Sequence, residues 1–600
     1  MSDETRRDAR TRIGFVPARY YFLINSTAAC LATINSHHRP ALTGRPWGIL
    51  LSLFHQSPAT PALSLLPNRP ENSPRLKLHP FTFRLHCHLS HQERNSQREP
   101  SIGGLQVRQV STFTRVWAAH GGGPDDLGAT FFQPSSLPDG FSPLGHYAQP
   151  NNGPLFGWLL VGRPTGLSDD ALAKPSDYTL LWTSESSADL NQDGRGYFWL
   201  PTPPEGYRAV GLVVTGSPGK PSLDEVRCVR SDLTEEVEND EYVWSTDGFS
   251  VNASRPAVRG ISAAGVPVGS FLARANSGIT TNIACLKNKA SDFTNAMPNL
   301  NQVEALMRAY APRIYLHSDE EYLPSSVNWF FSNGALLYDR GNQSNSATPI
   351  NPDGSNLPQR GSNDGAYWID LPADDGQKDR IVKGDISSTK VYLHVKPMLG
   401  ATFTDVAIWI FYPFNGPARA KVEFLNVKLG RIGEHMTLRI SNLTGELRRV
   451  YFSEHSAGRW VEASQAEFDG ETNMPVGYAS LHGHAMYAKP GLVLQGDANL
   501  GIGIRNDTDK GSSVSTAGRW EVVAAEYLGV EEPPWVDYMR EWGPKISYDI
   551  ARELKNVERL LPGRLKKRFE SIIGSLPDEV LGEEGPTGPK EKRNWAMDEA

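Results

Sequence analysis

Two short runs in this 600-residue sequence carry side chains suited to holding an ion: Glu434-His435 and His482-Gly483-His484. Imidazole nitrogens and carboxylate oxygens are the common protein donors for divalent metals. In an extended strand, residues two apart share a face. His482 and His484 would then converge on one ion, and Glu434 or His435 could add an oxygen or a nitrogen. The competing reading is a pair of surface imidazoles on an exposed strand. The candidate metal ligands are therefore Glu434, His435, His482 and His484, with a divalent cation as the one cofactor indicated. Other chemistry is incomplete. His120 and the three glycines after it resemble an oxyanion loop, but no G-x-S-x-G follows. Gly501-Ile502-Gly503 lacks the third glycine of a dinucleotide fingerprint. H-E-x-x-H, C-x-x-C and P-loop patterns do not occur. The expectation is a non-catalytic protein.

The elements that would position these residues are mostly strands. With 55 glycines and 44 prolines the chain is rich in turns, which favours a β class. DVAIWIFYPF reads as a strand covered on both faces. MTLRISNLTGELRRVYFS reads as a hairpin turning at Asn442 to Gly445. GRWVEASQAEF and PVGYASLHGHAMY are further strand candidates, and 341–380 is polar enough for a long loop. Leu300, Val303, Leu306, Met307 and Tyr310 fall at helical spacing, with Asn299 or Asn301 as cap and Pro312 as stop. From 533 the pattern turns helical. Ile550, Leu554, Val557 and Leu561 form one face; Leu565, Phe569, Ile572 and Ile573 form another, flanked by Lys566, Lys567 and Arg568.

A motif repeats upstream. FFQPSSLPDGFSPLGHYAQP begins at Phe131, and YFWLPTPPEGYRAVGLVVTG begins at Tyr197. Each has an aromatic pair, then Pro-Asp-Gly or Pro-Glu-Gly, then a second aromatic. Proline fixes φ and glycine supplies positive φ, so each reads as strand, tight turn and returning strand. A weaker third copy runs from Phe249 to Phe271. Trp117, Trp158 and Trp199 read as strand packing ahead of a sugar platform. The acids between Asp224 and Glu241 read as a solvated loop between copies, and 276–298 as a linker.

Residues 1–101 hold 7 of the 15 histidines and a charge of about +7, while the remainder carries about −14. That acidic body offers no nucleic-acid footprint. Four scattered cysteines fit a reducing compartment better than a disulfide framework. No run of 18 apolar residues suggests a spanning helix, and the N-terminus lacks the apolar centre of a secretory signal.

From Ile102 to Ala600 the sequence resembles the plant branch of the vacuolar protein sorting-associated protein 62 family. The resemblance rests on GGLQVRQVSTFTRVW, GATFFQPSSLPDGFSPLGHYAQPN, YAPRIYLHSDEEYLPSSVNWFF, GRIGEH, SLHGHAMY, RNDTDKG and GEEGPTGPKEKRNW. It implies a cytoplasmic scaffold at the periphery of endosomal or vacuolar membranes, held there by a protein adaptor. The alternative is a cation-dependent membrane- or glycan-binding β-sandwich protein. Family members read G-E-H-V-G-D-W-E-H before V-T-L-R-I, whereas here His435 runs straight into Met436; that junction removes two carboxylates from the implied cation site. The expected architecture is mainly β: a disordered or non-family extension over 1–101, repeated β modules over 102–275, a β-sandwich-like domain over 299–530 and a helical tail over 531–600.

Overall fold

The computed structural model describes residues 101–599, except for 103, 167–169, 188, 277–280, 290–295, 342–346, 417, 423–424, 430–433, 455–456, 498–501 and all but six residues of 543–586. The chain divides into two units, Met1–Thr82 and Phe83–Ala600, and every described residue belongs to the second. The expected extension over 1–101 lies outside the described residues apart from its last position, and so does most of the helical stretch from Ile550 to Ile573. The described secondary structure is mainly β, in several small sheets.

Three successive segments pair their strands alike. Phe113–Ala119 pairs antiparallel with Ala129–Pro134, which pairs with Tyr147–Pro150. Asp177–Thr183, Tyr197–Thr202 and Val213–Thr215 do the same, as do Thr234–Thr246, Phe249–Pro256 and Phe271–Ala275. Between the second and third strand of each lies a two-residue strand: Ser142–Pro143, Tyr207–Arg208 or Gly265–Val266. Each pairs with a later strand: Leu159–Pro164, Cys228–Arg230 or Ala284–Lys287. The two expected turns place Gly140 at φ 78° and Gly206 at φ 81°, a region open to glycine without Cβ strain.

Each first strand contributes one tryptophan. Trp117, Trp182 and Trp244 meet edge to face, with ring centroids 5.5, 5.8 and 6.2 Å apart. Phe131, Phe198, Phe249 and Phe271 pack around them. Edge-to-face pairs set a positive ring edge on a negative face and add about 0.5–1.5 kcal/mol each beyond area burial. The buried indoles also satisfy their N–H groups: Trp117 donates to Gln192 and Trp244 to the Gly121 carbonyl. Trp199 is likewise buried and donates to Thr215. Trp158 is partly buried and packs on Phe403.

Further along, Asn299 caps the helix Leu300–Tyr310. Its side chain accepts the Gln302 N–H, and the Gln302 side chain accepts the Asn299 N–H, which closes a capping box. The helix buries Val303, Met307 and Tyr310 on one face of a six-stranded sheet. Its strands run in the order Ala457–Glu462, Leu447–Glu454, Glu434–Ser441, Phe403–Ile410, Val391–Met398 and Trp520–Ala524, all antiparallel except the last pair. Alternation sends Leu393, Val395, Val406, Ile408, Met436 and Leu438 to the helix side. The opposite face carries His394, Lys396, Asp405, Trp409, His435, Thr437 and Arg439.

Three local readings change. Thr234–Thr246 is a 13-residue strand, not a solvated loop. Glu235, Glu236 and Glu238 pair with Lys287, Arg208 and Arg255 while their side chains remain partly or largely exposed, so charge is tolerated in the strand. The expected linker contains the strand Ala284–Lys287, whose Ala284, Cys285 and Leu286 are buried. The expected loop at 341–380 contains the strand Tyr367–Asp370 and the helix Asp375–Val382, anchored by buried Ile369 and Ile381.

Candidate functional site

PVGYASLHGHAMY is not one strand. Val476–Ala479 and Met486–Tyr487 pair antiparallel, and His482 and His484 lie in the loop between them. Within that loop the His484 N–H donates to the Ser480 carbonyl and the Ser480 N–H to the Ala485 carbonyl, while Leu481 donates outward to the Asp507 carbonyl. This wrapping turns the backbone, and His482 and His484 both take positive φ, 62° and 57°. That conformation is costly for residues other than glycine and persists where surroundings dictate it.

Glu320 supplies those surroundings. Its carboxylate accepts the His482 backbone N–H at 2.6 Å. It also lies 3.2 Å from His482 Nδ1 and 3.4 Å from His484 Nε2. Tyr412 stacks on the His484 ring with centroids 3.7 Å apart. His484 Nε2 is 3.0 Å from the Tyr322 carbonyl, and Nδ1 is 2.8 Å from Asn415 Oδ1. Tyr322 packs edge-on against His482, and Phe414 against Tyr322. The Glu320 side chain is 2% exposed and His482 14%. Burial alone would raise the Glu320 pKa, but hydrogen bonds from His482 and His484 outweigh it and hold the carboxyl below the usual range. Asn415 Nδ2 and Ser480 Oγ are buried here without a partner among the described residues. Among the described residues, no group of three or more His, Cys, Asp or Glu side chains is arranged to hold a metal ion.

His435 belongs to a different network. It sits in the strand Glu434–Ser441, which pairs residue for residue with Phe403–Ile410 straight through the His435–Met436 junction. Glu434 pairs with Ile410 in that ladder. The His435 ring stacks on Trp409 at 4.4 Å, and its Nε2 lies 3.2 Å from Glu599 Oε2 and 3.0 Å from Asn594 Nδ2. Thr437 donates to Glu599 Oε1 at 2.8 Å, and Lys396 Nζ approaches the same oxygen at 3.3 Å. Burial works against charge on Glu599, yet His435 and Lys396 prevail and lower its pKa. Beside it, Arg439 makes a two-pronged pair with Asp405 at 2.9 and 2.7 Å and reaches Asp598 at 2.5 Å. The structure thus groups His482 and His484 around Glu320, and His435 around Glu599. Sequence reasoning missed Glu320, Asn415, Lys396, Arg439 and Glu599. Glu320 stood in the conspicuous run LHSDEEY; Glu599 had no local signal.

The family model described as vacuolar protein sorting-associated protein 62 matches residues 80–599. The chain belongs to the vacuolar protein sorting-associated protein 62 family. The match starts at residue 80, ahead of Ile102, so it takes in part of the segment expected to lie outside the family. Among characterised proteins, no sequence matches this family member. Solved structures give weak likenesses. GNIP1Aa from Chromobacterium piscinae is 20% identical with a TM-score of 0.24, over 34% of this chain and 40% of its own. NLPPya in complex with glucosamine is 11% identical with a TM-score of 0.17, over 33% and 68%. Necrosis and Ethylene inducing Protein 2 from the causal agent of cocoa's Witches Broom disease is 14% identical with a TM-score of 0.16, over 41% and 98%. At these scores they carry no argument about this family member.

Proposed function

We propose that this member of the vacuolar protein sorting-associated protein 62 family is a non-catalytic scaffold of vacuolar or endosomal trafficking. In this reading it works from the cytoplasm and is recruited by a protein adaptor through residues 102–275. The observation that carries the reading is the common strand pairing of three segments around Trp117, Trp182 and Trp244. We take it as one β module used three times, ahead of a β-sandwich-like body. A stacked module presents equivalent loops on a rigid support, the arrangement that repeat proteins use for binding. Direct membrane attraction is disfavoured by the acidic body of about −14, and among the described residues no helix is long and apolar enough to cross a membrane. The test is proximity labelling and imaging of the full chain. Endosomal or vacuolar marking is expected, turning diffuse when Gly140→Val and Gly206→Val are combined. Strong sedimentation of the purified protein with anionic liposomes at high salt would refute the adaptor reading.

The second reading is a cation-dependent membrane- or glycan-binding β-sandwich; it would need Glu320, His482 and His484, which bond one another here, to rearrange around an ion. Calorimetry with calcium, magnesium, manganese and zinc tests it. It requires binding that disappears in a His482→Ala, His484→Ala variant.

A further inference from the structure

Residues 594–599 lie against the polar face of the six-stranded sheet in the manner of a bound peptide, while Thr587, Gly588 and Lys590 contact the 532–541 segment. Trp595 is buried, stacked on His394 with centroids 4.1 Å apart and 6.3 Å from Trp409. Three residues on, Asp598 meets Arg439, and Glu599 is enclosed by Lys396, His435 and Thr437. Lys396 Nζ also donates to the Asn594 and Met597 carbonyls, at 3.0 and 3.4 Å, so it reads the segment's backbone too. From the other side, the Ile261 N–H donates to the Ala596 carbonyl at 3.0 Å.

The reading residues stand on three neighbouring strands. Lys396 pairs with Asp405, and Asp405 with Arg439. In that row two cations face one carboxylate, and the segment brings two more carboxylates. An aromatic anchor in a pocket beside desolvated, charge-assisted pairs is the composition of a recognition hot spot. Stability alone would be served as well by apolar residues, since buried ion pairs give little net gain over them.

We propose that this sheet face is a peptide-recognition groove for acidic segments with a tryptophan three residues before an Asp-Glu pair. Residues 594–599 fill it in cis. A partner protein that displays the same chemistry binds when the chain's own segment leaves. The inference does not depend on where in the cell the protein acts.

The test places a site-specific protease sequence between residues 580 and 581 of the full chain, cuts it, and strips the released segment at high salt. The probe is a fluorescent peptide of residues 587–599. Saturable, salt-weakened binding to the stripped protein is expected, with none to the uncut chain. Trp595→Ala in the peptide, Asp598→Asn with Glu599→Gln in the peptide, or Lys396→Met in the protein should each weaken it at least about thirtyfold. As a second format, the uncut chain carrying Trp595→Ala and Glu599→Gln should take up the wild-type peptide. Unfolding of the stripped protein, no uptake in either format, or equal binding of a scrambled peptide would each overturn the proposal.

Discussion

Cys228 and Cys285 illustrate how burial sets reactivity at the scale of a residue. Both lie in strands, and loss of hydration pushes each thiol up to about 12. The thiolate is the nucleophile, so at pH 8 each remains an unreactive thiol. In a Cys30→Ser, Cys87→Ser variant, a thiol reagent at pH 8 should find no reactive group in the native protein and two after denaturation. Rapid native labelling would show that these strands open readily. Glu320 makes a second case. Glu320→Gln removes the charge that three donors from His482 and His484 share, and should lower stability by about 1–3 kcal/mol. The expected reading is a lower urea midpoint with an unchanged slope; an unchanged midpoint would show that the two positive-φ histidines are held by other contacts. The histidine pair was legible in the sequence, but its geometry was not. Glu320 and His482 are 162 residues apart, and the turn that replaces the expected strand depends on Glu320 and on the Asp507 carbonyl.

Among the elements, those defined by local chemistry were readable. The helix at 300–310 announces itself through its cap, and Asn299→Ala should cost about 1 kcal/mol while Asn299→Ser costs little. Thermal melting of the two variants distinguishes a capping role from general packing. The hairpin on either side of Gly445 and the apolar strand Phe403–Ile410 were equally plain, since period and turn agree there. At Gly206 an added Cβ would meet nothing within 4 Å, so the cost of Gly206→Val is that of the backbone alone, at least about 1 kcal/mol. A stability loss with Val and a smaller one with Asn, which tolerates positive φ, would identify the turn conformation as the cause. Elements whose stability comes from distant partners were misread. Thr234–Thr246 reads as a loop because its pairing partners Phe249–Pro256 and Ala284–Lys287 lie further along the chain, while Glu236 and Glu238 stay partly or largely exposed.

Across the whole molecule, residues 102–288 and the six-stranded sheet are joined by specific contacts. The Arg448 guanidinium lies 4.0 Å over the Phe156 ring and donates to the Phe156 carbonyl. Arg449 bridges Glu241 at 3.1 Å and Glu462 at 2.6 Å. Asn288 donates to the Gly400 carbonyl at 2.8 Å, and Trp158 packs on Phe403. Calorimetry of the 83–600 unit should therefore show one unfolding transition. Arg448→Ala, which removes a desolvated cation–π contact worth about 2 kcal/mol, should lower it or split it. Two transitions in the unaltered protein would mean that these contacts do not couple the regions. This joint was not legible in the sequence, because nothing near Arg448 marks Phe156 as its partner.

The meeting of Trp117, Trp182 and Trp244 also governs how the chain is made. The indoles come from strands spread over 113–246, and the third strand of the last segment ends at Ala275. During synthesis the first two segments emerge with their aromatic centre incomplete, and no local rearrangement can close it. Until the third arrives, bulky apolar surface stays open to chaperones and to other nascent chains. Ribosome-bound chains that expose residues up to about Arg230 should remain protease-sensitive and chaperone-bound, whereas those that expose the chain past Lys287 should become resistant. The order of synthesis would then make the third segment the gatekeeper for the first two.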